Sequence, residues 1–94
     1  MVKRINSRQK GAEGEREFAK ILRDYGCPEA YRGRQFHGRD DAPDVKCSWG
    51  VHFEVKRTER LALWPAIDQA TADAGEAMPV VAHRPNGKPW LCVV

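Results

Sequence analysis

The run Val51-His52-Phe53-Glu54-Val55-Lys56 constrains the fold more than any other stretch of this chain. Alternate side chains of an extended strand share a face, so Val51, Phe53 and Val55 point one way and His52, Glu54 and Lys56 the other. One face reads as core and the other gathers ionisable groups. Half-exposed strands of ordinary sheets alternate in the same way, so the pattern gains meaning only from its neighbours. Upstream lies Pro43-Asp44-Val45, separated from the strand by the turn-forming Ser48-Trp49-Gly50. That arrangement predicts a second strand doubling back, so that Asp44 and Glu54 converge with Lys56.

Two carboxylates suit a divalent metal. Mg2+ takes oxygen ligands at about 2.0–2.1 Å, commonly one or two carboxylates, several waters and a substrate phosphate. Mn2+ accepts similar donors. Lys56 lies about 7 Å beyond Glu54 along a strand rising roughly 3.3 Å per residue, within reach of a phosphate or a metal-bound water. His52 shares the face and is a candidate supporting residue.

The chain has 94 residues, enough for one domain with a modest core. Its 41% hydrophobic and 31% charged residues describe a globular protein, and its apolar runs fall short of the roughly 18 residues of a membrane span. Met-Val-Lys-Arg-Ile-Asn begins basic but lacks the apolar core of a secretory signal, so the expected location is cytoplasmic, without membrane attachment. Net charge is only +3, but residues 1–10 hold Lys3, Arg4, Arg8 and Lys10 with no acid, leaving 12 basic against 13 acidic groups elsewhere. The expected organisation is a basic N-terminal arm over 1–10 and a folded domain over 11–94. A basic arm suits phosphate contacts; a solvated tail is the plain alternative. Cys27, Cys47 and Cys92 are odd in number and lack zinc-site spacing, so reduced, structural thiols are expected.

In chain order, Lys10 to Tyr25 predicts an amphipathic helix, with Phe18, Ile21, Leu22 and Tyr25 on one stripe and Gly26 as the stop. At 100° per residue Glu15 falls about 70° from the stripe's centre and Glu17 about 90° off on the other side, so Glu15 is the acid best placed to face a sheet. Glu29 to Phe36 predicts a strand, and His37 to Pro43 a loop carrying Asp40 and Asp41. Beyond the central strand, a second helix is expected from about Pro65 to Ala77, with Leu63, Ile67, Ala70 and Ala74 at helical spacing. Gln69 on that helix could reach the site. Asn86-Gly87 between Pro79–His83 and Trp90–Val94 is a hairpin signal. Trp49, Trp64 and Trp90 are expected as core or interface anchors.

This order, with Lys10-Gly11-x-x-x-Glu15-Arg16-Glu17, Pro43-Asp44 and Glu54-Val55-Lys56, resembles the PD-(D/E)xK nuclease superfamily. More narrowly it resembles the archaeal-type Holliday junction resolvases and their small phage relatives. The resemblance spans nearly the whole chain and implies an α/β fold, a single mixed sheet flanked by helices in the order α-β-β-β-α-β-β with a restriction-endonuclease-like core. It implies that Asp44, Glu54 and Glu15 bind Mg2+, that Lys56 is catalytic, and that the partner is DNA, branched or four-way, cut by a homodimer. Lys3, Arg4, Arg8, Lys10, Arg34, Arg57 and Arg60 would contact phosphates. Gln69 and the segment Arg57 to Trp64 depart from the resolvase pattern, which keeps open a nuclease for flaps, nicks or single strands. A binding module without catalysis is the alternative of another class.

Overall fold

The computed structural model describes residues 7–33 and 43–94. Its elements follow the expected order: α1 (Ser7–Asp24), β1 (Tyr31–Arg32), β2 (Val45–Lys46), β3 (Val51–Lys56), α2 (Leu63–Ala74), β4 (Met78–His83) and β5 (Leu91–Val93). The five strands form one sheet in the order β1-β2-β3-β4-β5. Adjacent strands run antiparallel except β3 and β4, which are parallel with Glu54 opposite Val81. A parallel pair needs a crossover connection, and α2 supplies it. No helix among the described residues is long and apolar enough to cross a membrane.

The two faces of the sheet are filled differently. Phe18, Ala19 and Leu22 of α1 pack with Val45, Phe53, Val55, Val80 and Ala82 on one face. Phe18 meets Phe53 edge-on at 5.3 Å and Trp90 at 5.1 Å. On the other face the smaller Ala66 and Ala70 of α2 close on Val81, with Leu61 and Ile67 at the margin. Both faces of β3 are therefore covered: His52 and Glu54 are 4% and 1% exposed, where the alternation alone predicted an open polar face. The crossover helix is the reason.

Other expectations need correction. Helix α1 begins at Ser7, ahead of the expected start at Lys10, so Arg8 is helical as well. Tyr25, expected on its buried stripe, is exposed just past the helix end at Asp24, where Gly26 takes a positive φ. β1 spans two residues where Glu29 to Phe36 predicted more, and residues 34–36 of that expectation lie outside the described residues. α2 starts at Leu63 and stops at Ala74, because Gly75 takes a positive φ of 60° and turns the chain. Leu63 is on its exposed side, and the buried pair is Ala66 and Ala70. Trp49 and Trp64 are exposed, in the β2–β3 turn and on the first turn of α2, and only Trp90 joins the core. Cys27 and Cys47 form a disulfide between the end of α1 and the end of β2, against the expected thiols, while Cys92 is free. Their spacing of 20 residues gave no hint of the pairing, which the antiparallel return of β2 creates.

Candidate functional site

The β2–β3 hairpin brings the two strand carboxylates together. Asp44 N donates to Phe53 O at 2.8 Å, and Asp44 Oδ2 accepts the Val55 N–H at 2.8 Å, so Asp44 straddles Glu54 along the strand. Glu54 is fully buried, with its Oε1 and His52 Nε2 2.8 Å apart. Burial, and then the charge of Asp44, push the Glu54 carboxyl above the usual carboxylate range, against the weaker downward pull of the His52 hydrogen bond. Its Oε2 is buried and no hydrogen-bond donor among the described residues reaches it. An oxygen in that state is satisfied by a shared proton or by a cation. The donor set fits a divalent ion.

Farther along the same face of β3, Lys56 Nζ donates to Gln69 Oε1 of α2 at 3.4 Å. Lys56 and Gln69 line an open groove of about 210 Å³ together with Thr58, Arg60 and Ala66. The expected meeting of Gln69 with the strand motif is thus present, at Lys56. His52 is beside Glu54, also as expected.

Glu15 is placed elsewhere. Its Oε2 accepts from Arg32 Nε at 3.2 Å in a largely buried ion pair. Arg32, Val45 and Phe53 are successive register partners and share the α1 face, opposite to Glu54. Sets of three potential ligand groups closed to within 4.8 Å, among the described residues, are His52-Glu54-Asp73 and Cys27-Glu29-Cys47. Glu15 belongs to neither. The second set contains the disulfide; Glu29 there accepts the Ser48 N–H at 3.2 Å, and hydrogen bonding, from the Ser48 side chain first of all, holds the Glu29 carboxyl below its usual range.

Asp73 was not singled out from sequence. It lies in the last turn of α2, four residues after Gln69 and three after the buried Ala70. The available signal was an acid in the final helical turn with no base beside it, a position the helix dipole disfavours.

The expected phosphate contacts divide by what they touch. Arg57 Nη1 donates to Arg84 O and Nη2 to Asn86 Oδ1, both at 2.9 Å, so this side chain pins the end of β3 to the β4–β5 turn. Lys10 is ion-paired with Glu59 at 3.5 Å. Arg8 and Arg60 are exposed, Arg60 at the Lys56 groove. Lys3, Arg4, Arg34, Asp40 and Asp41 lie outside the described residues. Comparison with family models, with curated proteins and with solved structures finds no match.

Proposed function

We propose that this chain is a metal-dependent DNA endonuclease with a restriction-endonuclease-like core, acting as a homodimer on branched DNA of the four-way junction class. The observation that carries the reading is the convergence of Asp44 and the buried, incompletely satisfied Glu54, with Lys56 on the same face at the mouth of a groove. Asp44 and Glu54 would hold Mg2+, or Mn2+ in its place. Bound there, the ion supplies charge that polarises a phosphodiester and lowers the pKa of a coordinated water. Lys56 adds a fixed positive charge where negative charge grows on the phosphate, as a water oxygen bonds to phosphorus and the ester P–O bond breaks. Gln69 orients that ammonium. Glu15 serves in this reading by fixing Arg32 and the entry to β1, a change from the ligand role the resemblance gives it.

The decisive experiment compares wild type and Glu54→Gln on four-way junctions, flaps, nicked duplex and single strands, each with Mg2+, Mn2+ or EDTA. Wild type should cut the junction in both strands only with metal, and the variant should bind DNA without cutting. Cleavage that persists in the variant would sink the assignment. Preferential cutting of flaps or nicks would move the substrate class, and binding without any cutting would favour a non-catalytic module.

A further inference from the structure

We propose that His52, Glu54 and Asp73 form a transition-metal site, one imidazole and two carboxylates, that takes Mn2+ in preference to Mg2+. The site shares Glu54 with the nuclease centre proposed above but holds whether or not the chain cuts DNA.

The three potential ligand atoms lie within 4.8 Å of one another, a span one ion can bridge. They come from two elements that the fold locks together, since β3 supplies His52 and Glu54 and α2 crosses directly above. Ala70 is fully buried against that face, and Asp73, three residues on, is the next side chain on the same side of the helix. Glu54 is 1% exposed and its Oε2 has no hydrogen-bond partner among the described residues, a buried oxygen that a cation would satisfy in place of a proton. Asp73 makes the same demand from the other side: it stands at the negative end of α2, where the last turn has no basic residue to offset it. A cation between the strand and the end of the helix answers both.

The imidazole decides which cation. Mg2+ favours oxygen ligands and keeps its waters, whereas first-row transition ions accept nitrogen readily. Asp73 is half-buried, at the margin of the site. Asp44 is not part of this set, so Glu54 is a corner shared by two groups of donors.

The test uses the full chain stripped of metal by chelation and titrated with Mn2+ alone, followed by electron paramagnetic resonance. Wild type should bind the ion with a nitrogen modulation in the pulsed spectrum, and a large excess of Mg2+ should be needed to displace it. Asp73→Asn should weaken Mn2+ binding at least tenfold. His52→Gln should abolish the nitrogen modulation. Because His52 is buried, the partly exposed Asp73 provides the variant least apt to disturb folding, and circular dichroism melts check both. Absence of Mn2+ binding at millimolar concentration, absence of nitrogen modulation in wild type, or unchanged affinity in Asp73→Asn would each overturn the site. Cleavage assays on the same samples keep the two readings apart. Asp73-dependent Mn2+ binding without cutting retains the site and defeats the nuclease; cutting with Asp73-independent binding does the reverse.

Discussion

Glu54 occupies a place where a strand residue would normally be apolar, opposite Val81 and beneath Ala66 and Ala70. The groups facing it are Asp44, His52 and Asp73, two acids and one imidazole, with Lys56 directed away to Gln69. Burial first, and Asp44 second, raise its pKa, so the folded protein holds a proton that the unfolded chain gives up near the ordinary value of 4.5. Protons are then bound more by the native state over the window above that value, and stability falls as pH rises through it. Metal-free wild type should therefore melt at lower temperature at pH 8 than at pH 5, and Glu54→Gln should flatten that dependence. At pH 8 the variant should gain about 1–3 kcal/mol, several degrees in Tm for a chain of this size, because a neutral amide replaces one of two neighbouring buried charges. Mn2+ at pH 8 should raise the Tm of wild type and leave that of Glu54→Gln in place, by linkage of binding to folding. A wild-type melting temperature that rises steadily between pH 5 and pH 8 without metal would contradict the assignment of Glu54 as the raised group.

At the scale of elements, two glycines in α1 separate helix propensity from packing. An alanine Cβ at Gly11 would meet nothing within 4 Å, whereas at Gly14 it would lie 2.7 Å from Arg57 Cβ and 3.0 Å from Arg57 Cγ. Arg57 cannot swing aside, since both its terminal nitrogens are engaged on the β4–β5 turn. Urea unfolding should thus show Gly11→Ala stabilised by about 0.5–1 kcal/mol from propensity alone and Gly14→Ala destabilised by about 1–3 kcal/mol from overpacking. The disulfide is a second tie between elements. Closing a loop of 20 residues, it is worth about 3 kcal/mol in the chain-entropy model, so reductant or Cys47→Ser should lower stability by that order. These cases also mark what could be read in advance. The order of elements, the Asn86-Gly87 hairpin and the meeting of Asp44 with Glu54 rest on local signals, a period of two residues and tight turns, and they follow from the sequence; the expected convergence of Lys56 on that pair is replaced by its contact with Gln69. The burial of His52, the arrival of Asp73, the pairing of Cys27 with Cys47 and the confinement of Arg57 depend on how α2 crosses the sheet and how β2 returns beside α1. Those are long-range pairings, and nothing in the spacing of the residues encodes them.

Across the whole molecule, a net charge of +3 is too small to bind a polyanion by itself, so the proposed affinity for DNA would have to come from where the exposed cations stand. Arg57 and Lys10 are engaged internally, Arg57 with the β4–β5 turn and Lys10 with Glu59. Arg60 is different: it is exposed at the groove that Lys56 and Gln69 line, on the side of the sheet that also carries Glu54. Each phosphate neutralised by a side chain contributes about 0.9 to the slope of log affinity against log salt. Arg60→Ala should therefore lower that slope by roughly one unit and weaken binding at low salt, while leaving the melting temperature unchanged. Arg57→Ala should do the opposite, leaving the slope alone and lowering stability through the two hydrogen bonds it removes, about 1–3 kcal/mol in all. Replacing Lys3 and Arg4 together, two cations assigned to phosphate contacts from the sequence, should reduce the slope by roughly two. Affinity measured by fluorescence anisotropy from 50 to about 300 mM salt reads all three, and an Arg60→Ala slope equal to that of wild type would remove the groove from the binding surface.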